Sequence, residues 1–337
     1  MTASAPPTAA AKGRPRPAPP AARGAAGPWA RHAGVFAGIA ALGVLAHWLL
    51  TNLKGEQGQV ALLAVMWTIA LTGLNLVQGL GGYPSLAHAA FYGGGAYLSA
   101  ILLERGWSMT AASVLAVAGT MLGGLVVAMV FSRTRGQYFA IGTLFFTAVM
   151  TLVFTNAREW TGGPNGRPVD LGYTLDATVR LMAISLAVGL AVFYLLSRSR
   201  LGARLRAIRE DEDLAEHAGV PTARVKLVAF VLSAGFGAWA GVLFAQYNGV
   251  IAPSQFTFSQ SFLMFVALGL AGAGRLLAPV VGAAVVLSFT QLIDLGPGVS
   301  QIVLGVLFIA VTLVVPDGIL GGLARLWRYV RARGAAS

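Results

Sequence analysis

The sequence predicts an all-α fold, a polytopic transmembrane helical bundle of about ten spans with both termini in the cytoplasm. Three observations carry that prediction. Of 337 residues, 56% are hydrophobic and only 11% charged, against about 25% charged in an average soluble domain, and mean hydropathy is +0.72. A water-exposed surface made from such a chain aggregates, which argues against a water-soluble enzyme. Second, apolar runs of about 20 residues recur along the chain, the length that crosses a bilayer as a helix. Third, the basic residues partition between alternate loops.

Taken in order, residues 1–30 are Ala/Pro/Gly-rich and basic, carry no hydrophobic pattern, and read as a disordered cytoplasmic tail. A cleaved signal peptide is the alternative. It fits less well, because the apolar run that follows lies far from the start and leads into further spans. Spans are expected at 33–50, 59–80, 85–103, 109–131, 138–157, 179–197, 227–248, 260–273, 277–293 and 299–316. The third contains Gly93-Gly94-Gly95. The eighth and ninth are short and parted by Gly272, Gly274 and Arg275, so they form either two full spans or a re-entrant hairpin. Together, 31–320 make a transmembrane domain whose largest cytoplasmic loop is 198–226, and 321–337 form a basic cytoplasmic tail. With the N-terminus inside, Lys54, Arg105, Arg158, Arg167 and Arg180 face out and the other nineteen of the 24 Lys and Arg face in, as the positive-inside rule requires. The net charge of +12 is therefore a membrane signature and implies no nucleic-acid partner.

The spans themselves are informative by what they lack. No Asp, Glu, Lys or Arg sits near a span centre, with Arg180, Arg275 and Asp294 at ends. Ion-coupled carriers place carboxylates at mid-membrane, and voltage sensors place rows of Arg there. The three lysines, Lys12, Lys54 and Lys226, precede Gly, Gly and Leu, so no Gly-x-x-x-x-Gly-Lys-Ser/Thr phosphate loop exists. With no Cys, disulfides and thiol chemistry are absent. No convergent nucleophile–base or metal-ligand set stands out. The expectation is a non-enzyme with no cofactor and no metal of its own, whose energy, if it drives solute uphill, comes from another chain.

The loop after the sixth span carries the most pattern. Residues 201–219 read as one surface helix with Leu201, Leu205 and Ile208 on one face, ended by Gly219 and Pro221. Bases fill its first half and acids its second, an order that opposes the helix dipole and suggests that the charges serve a partner. An ordinary solvated connector is the alternative.

Asp213-Leu214-Ala215 followed by Gly219 resembles the Glu-Ala-Ala-x-x-x-Gly loop of ABC-importer permeases, with Asp for Glu and Leu for the first Ala. The wider stretches resemble the branched-chain amino acid permeases, in particular their LivM-type subunit. They are 205–212 with 226–234, Thr72–Leu76 with Ser85–Phe91, Arg135–Ile141, Thr161–Gly166, and Leu268–Arg275 with Gly282–Ala284. The likeness spans about residues 60–320; the chain departs from it in its long tail, its Gly81-Gly82-Tyr83-Pro84 turn and the imperfect loop.

The resemblance implies a permease subunit of the inner membrane of a bacterium that works by alternating access. It implies a related second permease (LivH-type), two cytoplasmic ATPase chains that bind ATP and Mg, and an extracellular or periplasmic solute-binding protein. Arg206, Arg209, Glu210, Asp213, Ala215 and Gly219 would form the ATPase coupling site. Asn75, Ser85 and His88 either line the solute path or hydrogen-bond across helices. Thr161, Gly162, Gly163, Asn165 and Gly166 form a loop that either faces the binding protein or simply needs Gly for its turn. A path without mid-membrane charge suits leucine, isoleucine or valine, and equally urea or short amides. The alternative from another class is an energy-independent channel in which 201–219 is a plain connector.

Overall fold

The computed structural model describes residues 28–131, 133–134, 136–169, 174–292, 299–314 and 317–334. The chain divides into two compact units, 1–38 and 39–337. Residues 1–27 of the expected tail, together with Arg135 and Asp294, lie outside the described residues. Within the first unit, residues 28–30 are already helical, the start of α1 (Pro28–Asn52).

The second unit is helical almost throughout. After α1 come α2 (Gly55–Leu74), running on as a π-helical stretch Asn75–Leu80, α3 (His88–Glu104), α4 (Met109–Phe131), α5 (Gln137–Asn156) and a single turn α6 (Arg158–Thr161). Then follow β1 (Arg167–Pro168), α7 (Leu175–Arg198), α8 (Arg200–Glu210), α9 (Glu212–His217), α10 (Thr222–Asn248) and β2 (Val250–Ile251). The chain closes with α11 (Phe258–Ala271), α12 (Ala278–Leu287) running into a π-helical Ser288–Leu292, α13 (Val299–Val314) and α14 (Gly318–Gly334). The last of these covers most of the segment read as a basic tail.

Seven helical segments among the described residues are long and apolar enough to cross a membrane: His32–Asn52, Gly55–Leu80, Met109–Phe131, Gln137–Asn156, Leu175–Arg198, Thr222–Asn248 and Pro253–Ala271. The other three expected spans are helices too, but shorter: α3 with 17 residues, Ala278–Leu292 with its π-helical end, and α13 with 16.

The interior is built on α2, α3 and α10. Glycine lets their backbones meet: a Cβ on Gly95 would sit 2.2 Å from the Ala238 carbonyl oxygen, and one on Gly241 only 1.9 Å from that of Tyr92. Close backbone approach replaces the hydrophobic drive that lipid cannot supply. A cluster of Tyr92, Tyr97, Phe154, Phe244 and Phe256 fills the space beyond, mostly edge to face. By contrast α4 and α5 leave Val114, Leu122, Val126, Phe145, Val149 and Leu152 exposed, the faces that a bilayer covers.

Between Leu80 and α3 the chain is not helical, and Gly81, Tyr83, Ser85 and Ala87 are buried. Irregular backbone at this depth is tolerated only inside protein with its polar groups satisfied. Side chains of other helices do this: Thr143 Oγ1 accepts from Leu86 N–H at 3.0 Å, Thr147 Oγ1 donates to the Leu86 carbonyl at 2.6 Å, and Ser261 Oγ accepts from Ala89 N–H at 2.8 Å.

α10 fixes the two ends of this unit. Its 27 residues rise about 40 Å at 1.5 Å each, from α9 at one end to β2 at the other.

Candidate coupling site

The loop 198–226 is two helices, not one, which corrects the single-helix reading. The backbone breaks at Asp211, which takes an extended conformation and caps α9, its Oδ1 accepting from Leu214 N–H at 2.9 Å. The charge order therefore does not oppose a single dipole. Glu212 and Asp213 stand in the first turn of α9 and His217 in its last, the favourable arrangement, while α8 is mixed, with Arg209 in its last turn but Arg200 at its first residue and Glu210 at its last. Asx and Ser caps compete with helix continuation, and an Asp within an acidic run conceals that role from a pattern search. The charge order thus loses its force as a sign of a partner.

α8 seats Leu205 and Ile208 inward, both buried, on the face the spacing selected. Arg206 bends back to the end of α7, donating to the Ser197 carbonyl at 2.9 Å. Arg209 donates to the Gly79 carbonyl at 2.6 Å, at the π-helical end of α2. Gly82, with φ +75, lies so close that a Cβ there would meet Arg209 Cγ at 2.5 Å. Ala215 is buried, whereas Glu210, Asp213 and Leu214 are exposed, Leu214 to 67%. Gly219 takes φ +86 and ends α9: Gly219 N–H bonds the Glu216 carbonyl at 2.9 Å and Val220 N–H that of Ala215 at 3.0 Å. That paired closure needs a left-handed residue. A Cβ on Gly219 meets nothing within 4 Å.

Two further contacts tie this loop to the spans. Asn75, proposed for a solute path, uses both ends of its amide on the turn between α11 and α12, accepting from Gly274 N–H at 2.7 Å and donating to the Arg275 carbonyl at 2.8 Å. The same stretch Asn75–Leu80 thus receives both Arg209 and the 274–275 turn, which meet there: a Cβ on Gly274 would stand 2.9 Å from Arg209 Nη1 and 3.1 Å from the Gly79 carbonyl oxygen. Lys226, 3% exposed, is the second tie. Its Nζ donates to Glu212 Oε1 at 2.6 Å and to the Thr134 carbonyl at 3.2 Å, and lies 5.9 Å from the centre of the Tyr83 ring. Tyr83 packs edge-on against Phe139 at 5.2 Å. Burial, with Glu212 nearby, holds its phenol well above the usual tyrosine range. Sequence reasoning missed Lys226, Tyr83 and Leu214. The available signal was a lysine between Val225 and Leu227, in a chain with three lysines.

Ser85 and His88 are fully buried. Ser85 Oγ accepts from Ala87 N–H at 3.4 Å within its own turn. Ser233 Oγ lies 2.7 Å from the Gly73 carbonyl and 3.1 Å from His88 Nε2. The hydroxyl has one proton and gives it to the carbonyl, so His88 Nε2 is the donor; its Nδ1 is then an acceptor with no partner.

At the other end of α10, Thr161, Gly162, Gly163, Asn165 and Gly166 form a tight turn. Thr161 Oγ1 donates to the Ala157 carbonyl at 2.9 Å and accepts from Gly163 N–H at 3.2 Å. Gly166, at φ +78, lets β1 pair with β2: a Cβ there would stand 2.4 Å from the Ile251 carbonyl oxygen. Arg167 beyond it bonds the Trp160 carbonyl at 2.5 Å and pairs with Glu104, while Arg105 lies 5.0 Å from the Trp160 ring centre. Asn165 is exposed. Among the described residues, no group of three or more His, Asp or Glu stands together as a metal site.

Residues 57–312 match the family described as branched-chain amino acid transport system / permease component. The chain is 32% identical over 294 residues to the high-affinity branched-chain amino acid transport system permease protein LivM of Escherichia coli (strain K12), covering 77% of this chain and 69% of that one. LivM of Salmonella typhimurium is 31% identical over 319 residues, 84% of this chain and 74% of its own. The corresponding permease protein LivH of Escherichia coli (strain K12) is 26% identical over 284 residues, 76% and 91%.

Proposed function

Because the chain belongs to the branched-chain amino acid transport system permease family, we propose that it is the LivM-type membrane subunit of an ATP-driven importer of branched-chain amino acids. Its relatives include both LivM and LivH, which supports pairing with a second, related permease. ATP and Mg are bound by two separate cytoplasmic chains, and a binding protein outside delivers the solute. The chain crosses the inner membrane of a bacterium about ten times, with both termini inside. The meeting of α8, α9, Thr134, Gly79 and the 274–275 turn at one end, and of Glu104, Arg167 and Ile251 at the other, supports that alternation.

One observation carries the coupling role. The α8–α9 loop is anchored at its base to two span connections, through Arg209 to the end of α2 and through Lys226, itself bonded to Glu212, to the α4–α5 loop, while the tip with Leu214 and Gly219 is exposed. A push on the tip therefore reaches the end of α2 and the α4–α5 loop directly, and the 274–275 turn through Asn75. In the alternating-access reading, ATP-driven closure of the partner chains supplies that push and opens the apolar path outward.

Gly219→Arg tests it. A Cβ at 219 meets nothing within 4 Å, so a bulky residue there strains the left-handed turn and projects away from this chain toward a partner. With the partner chains present, Gly219→Arg abolishes leucine uptake into vesicles and loses the co-purifying ATPase. Gly219→Asn, which tolerates the left-handed backbone, retains both. Undiminished uptake by the arginine variant removes the coupling role and favours a channel.

A further inference from the structure

Beside the joint of Arg209 with Gly79 lies an open cavity of about 420 Å³, lined by Arg209, Arg275, Asp317, Phe308 and the glycine-rich 272–274 turn. Each arginine spends one N–H on a backbone carbonyl: Arg209 Nη1 on that of Gly79 at 2.6 Å, Arg275 Nη1 on that of Asp317 at 2.5 Å. Among the described residues neither has a carboxylate partner. A guanidinium carries five N–H donors, so most of both forks is uncommitted. Water reaches them, since Arg209 is exposed and Arg275 half-buried. Asp317, the acid among the described lining residues, is itself ion-paired with Arg325. Glycine keeps the space open. Gly272 and Gly274 take φ +100 and +93, and a Cβ on each would stand 2.5 Å from Arg275 Nη1 and 2.9 Å from Arg209 Nη1 respectively. On the apolar side Phe308 lies against α11, where a Cβ on Gly269 would meet its ring at 2.9 Å.

We propose that this cavity is a carboxylate site, which receives the amino acid as it leaves the membrane on the cytoplasmic side; the assignment rests on the importer reading above. Two guanidinium forks match a carboxylate in charge and in geometry. Phe308 offers an apolar wall to a branched side chain. The Asp317 carboxylate is half exposed and has lone pairs beyond those Arg325 uses, so it accepts from the solute's ammonium. The spans hold no Lys or Arg near their centres, so this chain offers a passing carboxylate its counter-charge only at their ends. Inorganic phosphate or a phosphatidylglycerol headgroup suits the arginines but brings no cation for Asp317. Arg209 also holds the Gly79 carbonyl, so an occupant touches the tie between α8 and the end of α2.

The chain has no Cys, so Ala273→Cys in the full-length protein places a single thiol in the cavity wall. The complete assembly, in phosphatidylcholine nanodiscs without ATP, is treated with a neutral thiol reagent, and modification of this chain is read by mass spectrometry. Leucine slows modification severalfold. The keto acid 4-methyl-2-oxopentanoate, a carboxylate without an amine, slows it less, and isopentylamine, the amine without the carboxylate, leaves it unchanged. Asn165→Cys, at the other end of α10, is modified at one rate throughout. Adding Arg275→Gln to Ala273→Cys raises the half-protecting leucine concentration roughly tenfold, and Arg275→Lys recovers part of it. Equal protection by isopentylamine and leucine overturns the proposal, as does protection indifferent to Arg275→Gln. So does equal protection by inorganic phosphate, or protection that appears only when phosphatidylglycerol is added to the nanodiscs. Leucine uptake by the unsubstituted assembly in vesicles is measured alongside. Uptake without protection removes the site alone, whereas absent uptake removes the importer reading and the site with it.

Discussion

The two ends of α10 are fastened in different ways. At the α8–α9 end a glycine contact of Gly79 with Gly274 is overlaid by side chains reaching across elements: Arg209 to the Gly79 carbonyl, Asn75 to Gly274 and Arg275, Lys226 to Glu212 and Thr134. At the Thr161–Gly166 end it is chiefly by backbone in contact with backbone, with glycine where any side chain would collide. A hydrogen bond from a long side chain breaks and re-forms as elements shift by an ångström or two. A glycine contact at van der Waals distance has one arrangement and holds its shape. Under the proposed function the difference says where motion would be built in: the first end would be a set of joints and the second a fixed platform. That division agrees with a subunit pushed from one side and presenting a constant surface on the other.

Three substitutions probe the division. The largest effect is expected at Lys226. Lys226→Met removes the buried ammonium from the 22%-exposed Glu212 carboxylate and costs about 3 kcal/mol, measured by denaturant unfolding in detergent. Adding Glu212→Gln recovers part of that loss, and leucine uptake stays impaired in the double variant because the joint is gone. Normal uptake there would reduce the pair to a structural staple.

Next comes Gly166→Ala, which forces a left-handed alanine against the Ile251 carbonyl and costs about 2 kcal/mol. Uptake per folded molecule falls through weaker stimulation by the binding protein, while ATPase co-purification is unchanged. Loss of the ATPase instead would mean that the platform communicates with the joints.

The smallest stability change is at Asn75. Asn75→Ala orphans the Gly274 N–H and costs about 1–2 kcal/mol, yet lowers uptake more than Gly166→Ala does. Asn75→Asp keeps the acceptor for Gly274 and restores stability better than uptake. If stability and uptake fall in step across all three, the two ends are alike and the comparison fails.

Much of this was legible from residue type and spacing. The apolar runs placed the helices to within a few residues, and the spacing put Leu205 and Ile208 on one face, which is the buried face of α8. Glycine triplet 93–95 proved to be packing surface, with Gly95 against Ala238 and Gly93 against Phe256. The break at Asp211 was not legible, because Asp reads alike as a helix charge and as a cap. Nor was the seat of the coupling loop. The Gly81–Pro84 turn, where the chain departs from the family's pattern, receives Arg209 against Gly82 and Lys226 against Tyr83. Partners this far apart in sequence, 143 residues for Tyr83 and Lys226, leave no local trace.

The sequence by itself determined the solvent and the scaffold. Hydropathy and helix period are local properties, and with few charges only one environment accommodates them. The resemblance of its motifs identified the family. Tertiary structure decided which polar groups meet. Asn75, His88 and Ser85 are equally polar on paper, but only the fold gives Asn75 to the 274–275 turn, His88 to Ser233 and Ser85 to its own turn. Buried polar groups must each find a partner, and which partner is in reach depends on how helices distant in sequence cross.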